Sequence, residues 1–255
     1  MKTGRLENLT SIVTGGSSGF GETICRTFVQ EGARVIIADI NETAGRKLAD
    51  SLNSGQICAE FIRTDVSCSG DMKAAVERAV TLFGRLDIMV NNAGMSHPNQ
   101  PMLEVSEELF DRLFDVNVKS LYHSAIHCVP VFRRLGGGCF INIGSTAAVR
   151  PRPGLCWYSG SKGAVNLLTK AMAVELAPDQ IRVNAINPSL GETPLLATFL
   201  GGTDSQEVRN RFLPSIPLGR FCQPADVANA AVHLADPRSS FITGVCMEVD
   251  GGRCI

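Results

Sequence analysis

Tyr158 and Lys162 are the pair in this sequence best suited to moving a proton. Four residues apart, they share one face of a helix, a little over one turn from each other. A free phenol has a pKa of about 10 and is a poor base at neutral pH. An ammonium group one turn away stabilises the phenolate, and lowering that pKa by ~3 units takes ~4 kcal/mol of preferential interaction. The same spacing also arises in helices that merely expose both side chains. What surrounds the pair therefore decides between the two readings.

The surroundings are strands and helices in alternation. Ser11-Ile12-Val13 reads as a buried strand running into Thr14-Gly15-Gly16-Ser17-Ser18-Gly19-Phe20-Gly21, and a helix with Ile24, Phe28 and Val29 apolar follows. The next strand, 34–38, stops at Asp39. Strand, glycine loop, helix, strand and acid form the βαβ unit that binds dinucleotides. Glycines let the backbone approach a pyrophosphate, and the helix N-terminus offers unpaired N–H groups and the positive end of its dipole. Asp39 lies 18 residues beyond Gly21, near the spacing of a carboxylate that accepts adenosine ribose hydroxyls. An Asp capping the helix that starts near Asn41 is the alternative role.

The alternation continues with a helix at about 42–53, a strand at 57–63 ending at Asp65-Val66, and a helix at about 70–83. A strand at 86–90 ends in Asn91-Asn92-Ala93-Gly94. A long helix over about 106–135 carries Asn117 and stops at Gly136-Gly137-Gly138, and Pro130 is expected to kink it. The strand 139–143 delivers Ser145 at its C-terminal edge, and the Tyr158 helix has Val165, Leu168 and Met172 as its buried face. Further strands cover 181–186, reaching Asn187-Pro188, and 245–249, with a helix opening at Pro224-Ala225-Asp226 between them. These seven apolar strands predict a doubly wound α/β fold, a mainly parallel Rossmann-type sheet with helices on both faces. Ligands of such folds bind at the carboxyl edge of the strands, where most of the polar residues named above lie. One domain over residues 1–255 is expected.

Composition narrows the function. The chain of 255 residues is 44% hydrophobic with a net charge of −1, enough for a full core and without broad attraction for nucleic acid. Its apolar runs fall far below the roughly 18 residues of a membrane span, and residues 1–9 lack the apolar core of a secretory signal. A soluble, cytoplasmic protein with no nucleic-acid or membrane partner is expected. The nine cysteines are scattered and never in a Cys-x-x-Cys arrangement, which reads as buried reduced thiols. His123 and His127 share a helix face at metal-ligand spacing, but no acidic partner follows and packing is the expected role, with no metal site.

Taken together, these residues resemble the short-chain dehydrogenase/reductase family in its compact single-domain form. The ordered set is Thr14-Gly-x-x-x-Gly19-x-Gly21, Asp65, Asn91-Asn92-Ala93-Gly94, Asn117, Ser145, Tyr158-x-x-x-Lys162, Arg182-Val183-Asn184 and Thr243-Gly244…Asp250-Gly251-Gly252. Asp39, followed by Ile40 instead of a basic residue, and Ser17 and Ser18 in place of Arg or Lys in the glycine loop point to NAD over NADP as cofactor. The resemblance implies an alcohol or ketone as substrate. It implies that Tyr158 gives or takes the substrate proton, that Lys162 lowers the Tyr158 pKa and bonds the nicotinamide ribose, and that Ser145 holds the substrate carbonyl. Asn117 would hold a water linking Lys162 to solvent, or else plug a helix kink. Gly15, Ser17, Ser18, Gly19, Phe20, Gly21, Asp39, Ile40, Asp65, Val66, Asn92, Ala93, Gly94, Pro188, Leu190 and Thr193 would complete the cofactor site, with Thr193 at the carboxamide. A homo-oligomer, expected as a tetramer built on the two long helices, is implied as well. The chain departs from the family pattern at Ser189, often Gly, and at Gly144, often Ser.

The general pattern leaves 3-oxoacyl thioester reductase and sugar dehydrogenase open beside an alcohol dehydrogenase. A non-catalytic dinucleotide sensor or scaffold is the reading from another class, though it has no need of Ser145, Tyr158, Lys162 and Asn117 together. The segment at about 189–220 breaks the strand–helix rhythm and is expected to be a substrate lid. It carries Leu195, Leu196, Phe199, Leu200, Phe212, Leu213 and Ile216, some of which should line a fairly apolar pocket with Met95, Leu155 and Trp157. Arg150 and Arg152 could meet an anionic tail, but solvated surface charge is their simpler reading.

Overall fold

The structure is a computed structural model and describes residues 4–53 and 55–255; residues 1–3 of the opening stretch lie outside it. Among the described residues, seven strands form one sheet in the order β3-β2-β1-β4-β5-β6-β7, and every neighbouring pair is parallel. The strands are β1 (Thr10–Thr14), β2 (Arg34–Asp39), β3 (Ala59–Arg63), β4 (Ile88–Asn91), β5 (Gly138–Ile143), β6 (Ile181–Pro188) and β7 (Cys246–Val249). The order reverses between β1 and β4, which puts a crevice at the carboxyl ends of those strands. The central strands are apolar along their length because both faces are covered: Val13, Val35, Ile37, Val90 and Ile141 face one core, and Ile12, Ile36, Met89 and Phe140 the other.

Helices α1 (Gly19–Gln30), α2 (Glu42–Leu52) and α3 (Ser69–Phe83) connect the first strands. Asn41 caps α2, its side chain accepting from the Ala44 N–H at 3.1 Å, so the capping role open to Asp39 belongs to its neighbour. The long helix expected at 106–135 is divided: α4 (Glu107–Phe114), a π-helical turn Asp115–Lys119, then α5 (Ser120–Leu135). The expected interruption at Pro130 therefore lies instead at the π-turn, and α5 carries through the proline. One extra residue in a turn breaks the regular ladder and re-aims side chains, and here it turns Asn117 into the interior.

Helix α6 (Cys156–Leu176) buries Tyr158, Ser161, Lys162, Val165, Thr169, Ala173 and Leu176. Leu168, read from the sequence as part of the buried face, is 36% exposed, because the inward stripe runs through Val165, Thr169 and Ala173. After β6 come α7 (Leu196–Phe199) and α8 (Gln206–Phe212), then α9 (Pro224–Ala235), which packs on α1. The segment carrying α7 and α8 has a small core of its own, Leu196, Leu200, Ile216 and Phe221. All nine cysteines are free; Cys25, Cys128, Cys139 and Cys222 are buried as expected, whereas Cys68 and Cys156 are exposed. His123 meets the Val66 carbonyl at 3.0 Å and His127 the Ser69 hydroxyl at 2.9 Å. No helix among the described residues is long and apolar enough to cross a membrane.

Candidate active site

A cavity of about 590 Å³ opens at the carboxyl edge of the sheet, a volume suited to a sizeable organic ligand. Gly15, Ser18, Gly19, Phe20, Asp39, Ile40, Asp65, Val66, Asn92, Ala93, Gly94, Ser145, Tyr158, Lys162, Pro188, Leu190 and Thr193 all line it. Three predicted residues lie outside the lining: Ser17, Gly21 and Asn117. Each supports the wall from behind. A Cβ on Gly21 would come within 2.0 Å of the Gly15 carbonyl oxygen, so only glycine lets α1 sit this close under the loop. The Ser17 N–H donates to the Asp39 carboxylate at 3.0 Å.

The glycine loop is held from both sides. The Thr14 hydroxyl accepts from the Asn92 and Ala93 N–H groups at 3.0 and 3.1 Å, and the Asn92 amide donates to the Thr14 and Gly15 carbonyls at 2.8 and 3.0 Å. These bonds tie the loop after β1 to the one after β4. Ser18, the residue before α1, makes no side-chain capping bond, so the first N–H groups of the helix remain available at the cavity. Asp39 is buried and accepts from Ser17 N–H and, at 2.9 Å, from Asn41 N–H. Each carboxylate oxygen has a second lone pair for a hydroxyl. Asp65 is held below the usual carboxylate range chiefly by the Ser67 hydroxyl, 2.6 Å away, with Arg112 opposite. These features fit a dinucleotide.

Ser145, Tyr158 and Lys162 line the cavity as well. The Tyr158 phenol is buried, and burial pushes its pKa up; the Ser145 hydroxyl hydrogen-bonded to it and the Arg152 guanidinium pull it down. From the sequence, Lys162 is the expected source of that lowering. In the chain alone, Lys162 instead donates to the Ile143 carbonyl at 2.8 Å, and burial brings its own pKa down to about 8. Asn117 uses its side chain on structure: its amide donates to Met95 O and Ser161 Oγ at 2.9 and 3.0 Å, and its oxygen accepts from Met95 N–H at 2.9 Å. It thus clamps the loop after β4 to α6.

Several residues that matter here escaped the sequence reading. His97 is fully buried; its Nδ1 meets Pro98 O at 2.7 Å, and its Nε2 accepts from the Tyr158 N–H at 3.4 Å. Donation of Nδ1–H to the carbonyl leaves Nε2 as the acceptor, which fixes the first turn of α6. A buried run from Asn91 through Asn142 to Thr169, with bonds of 2.8 and 2.9 Å, links β4, β5 and α6. Arg253 lines the cavity from the chain's last turn. Trp157, expected in the pocket, packs beside it and donates to Met102 O at 3.0 Å. Gly144 has a steric reason: a Cβ there would lie 2.0 Å from the Asn187 side-chain oxygen, which itself accepts from the Ser145 N–H at 3.1 Å.

Comparison with known proteins accords with this geometry. A family model described as enoyl-(acyl carrier protein) reductase matches residues 15–253. The chain belongs to the short-chain dehydrogenase/reductase family. Within that family it is 49% identical to 4-formylbenzenesulfonate dehydrogenase of Comamonas testosteroni, over 98% of this chain and 99% of the relative. It is 35% identical to cyclopentanol dehydrogenase of Comamonas sp., over 98% of each chain. Among solved structures, 3-ketoacyl-(acyl-carrier-protein) reductase from Brucella melitensis complexed with NADH superposes with a TM-score of 0.92 at 43% identity, covering 98% of this chain and 100% of that one.

Lys162 leaves a measurable signature. The folded chain releases the lysine proton at about pH 8, whereas the ordinary value is 10.5. Between those values the unfolded chain holds more protons, so stability rises with pH, and the charged lysine costs about 3 kcal/mol below pH 8. Thermal melts of cofactor-free wild type and Lys162→Met from pH 6 to 10.5 should show the variant's relative stability highest at pH 6–7 and declining above pH 8. A constant difference across that range would show that Lys162 is not buried as a cation.

Proposed function

We propose that this protein is an NAD(H)-dependent oxidoreductase interconverting a secondary alcohol and a ketone on a fairly apolar small molecule, with Tyr158 as acid and base. The observation that carries the reading is the convergence of Ser145, Tyr158 and Lys162 on one cavity with the glycine loop and Asp39. NAD is the cofactor these residues suit, and bound there it supplies the hydride acceptor or donor. The N-terminus of α1 and the glycine loop hold the pyrophosphate, Asp39 the adenosine ribose, Asp65 and Val66 the adenine end, and Pro188, Leu190 and Thr193 the nicotinamide end. Lys162 has further N–H groups beyond the one given to Ile143 O, and these reach the second ribose.

Tyr158 holds its proton at neutral pH as a free phenol does, burial reinforces this, and the protonated form is the one needed to protonate a ketone oxygen. Ser145 donates to the same oxygen, and a neutral donor already in position strengthens as charge develops there. Asn117, through its hold on Met95 and Ser161, keeps Lys162 and Tyr158 on one wall; a water relay from Lys162 past the π-turn is the route by which the proton exchanges with solvent. Residues 189–220 act as a lid on the single domain, with Leu195 and Phe199 turned to the substrate. The relatives' named ring compounds support an apolar body. A 3-oxoacyl thioester reductase is the second reading, favoured by the reductase from Brucella melitensis. Exposed Tyr122 and Ile126 on α5, with Leu167 and Val174 on α6, support a homotetramer assembled through these helices; the location proposed for it is the cytoplasm.

Three measurements test this. Tyr158→Phe should lose at least roughly a thousandfold in turnover, a proton-transfer contribution, while binding NADH nearly as wild type does; activity within tenfold of wild type would discard the assignment. For cofactor choice, a 2′-phosphate beside Asp39 at ~4 Å meets a repulsion of about 4 kcal/mol per unit charge at an effective dielectric near 20. Halved by solvent, that leaves a preference for NAD on the order of thirtyfold in kcat/KM. Asp39→Ala should raise the NADP value relative to NAD, and a variant that gains nothing with NADP would remove Asp39 as selector. Light scattering at micromolar concentration should give a tetramer, and a monomer mass would refute the assembly.

A further inference from the structure

Three arginines line one end of the catalytic cavity: Arg150 and Arg152 from the loop between β5 and α6, and Arg253 from the turn after β7. Among the described residues none of the three has an acidic partner within salt-bridge distance. Arg112, at the cofactor's end of the same cavity, differs in facing Asp65 at 3.7 Å.

The cluster is built, not scattered. Arg152 is half-buried; its guanidinium lies over the Phe212 ring, 4.9 Å from the centroid, and donates to the Phe199 carbonyl. The Phe199 ring in turn sits 5.2 Å from the Tyr158 ring, so one lid residue touches both the phenol and the guanidinium. Arg253 donates to the Ser215 hydroxyl at 2.6 Å, and its carbonyl accepts from Arg150. The turn that carries Arg253 is pinned by Asp250, whose carboxylate accepts from Gly252 and Cys254 N–H groups at 2.9 and 2.8 Å. Burial and the Arg253 charge both push the Arg152 pKa down. Like charges gathered at a partly dry site without a counter-charge are unfavourable until an anion joins them. Guanidinium groups suit a carboxylate or sulfonate, which they can grip with two parallel bonds. Leu155, Leu195 and Phe199 give the same cavity an apolar lining, and Leu155 and Phe199 pack against Tyr158.

We propose that the substrate carries a carboxylate or sulfonate at the end of an apolar body remote from the reacting carbon, and that Arg152, with Arg150 and Arg253 at the rim, binds that group. The proposal rests on the reading of Tyr158 as the proton-transferring residue. It corrects the simpler reading of Arg152 as solvated surface charge. An acidic carrier protein docking on the same arginines is disfavoured, because Arg152 is packed beneath Phe212 and Phe199 of the lid and not offered to a macromolecular surface.

The test compares kcat/KM with NADH for 4-acetylbenzoate and 4-acetylbenzenesulfonate against methyl 4-acetylbenzoate and 4-acetylbenzenesulfonamide. Wild type should favour the anions by roughly tenfold or more, the size of one charge-assisted hydrogen bond. Arg152→Met should bring the ratio of anionic to neutral substrate close to one, chiefly through KM, and Arg152→Lys should recover part of it. The ratio divides out any influence of Arg152 on Tyr158, since both substrates meet the same phenol. No preference in wild type, a preference that survives Arg152→Met, or far better turnover of an acyl-carrier-protein thioester than of any free anion would overturn the proposal. Calorimetric binding of 4-acetylbenzoate to Tyr158→Phe protein with NADH reads the anion site without chemistry. Binding that Arg152→Met abolishes supports the proposal, and absence of binding overturns it. Intact, Arg152-dependent binding without turnover of any ketone by wild type counts against the Tyr158 reading alone.

Discussion

A charged lysine buried on one backbone carbonyl is the constraint around which this site is arranged. The bond from Lys162 to the Ile143 carbonyl joins the first turns of α6 to the carboxyl end of β5. Such a cation is tolerated away from water only where its surroundings are fixed and polar. The surroundings here are fixed by buried amides and a hydroxyl. Asn117 ties α6 to the loop after β4, and Asn142 and Thr169 tie the helix to the sheet. His97 holds the N–H of Tyr158 itself. Remove any one and the lysine loses part of the frame that makes its position bearable.

The phenol follows from the same arrangement. Tyr158 and Lys162 point to one side because they lie one turn apart on α6, yet in the chain alone burial dominates both and each favours its uncharged form more than it would in water. The two shifts are complementary: an acid that keeps its proton beside a base that gives it up more readily. The two shifts spread values that are nearly matched in water, so in the chain alone the phenol stays protonated while the lysine gives up its proton near pH 8.

Much of the fold could be read from local signals. Period-two and continuous apolar runs marked every strand, and the glycine loop followed by Asp39 identified the nucleotide end, because each feature is a property of a few adjacent residues. Seventeen of the predicted positions face the cavity for the same reason, most of them lying just beyond strand ends in the order the topology demands. What the sequence hid was pairing at long range. The contacts of Asn91 with Asn142, His97 with Tyr158, and Arg253 with the loop of Arg150 join residues 51, 61 and 103 positions apart. The π-turn was hidden for another reason: one inserted residue leaves no compositional mark, whereas Pro130 leaves a conspicuous one that the helix accommodates.

The crowding around Gly144 has a consequence for how this site can change with time. The room a side chain would need is already filled by the amide of Asn187, and that amide holds the backbone of Ser145. A serine at 144 is sterically admissible only beside a smaller or differently turned residue at 187. Either substitution alone passes through a form that is crowded or has lost the support beneath the Ser145 backbone. The two positions are therefore coupled: a departure from glycine at 144 requires the Asn187 amide, and the Asn166 amide beside it, to turn away or be replaced.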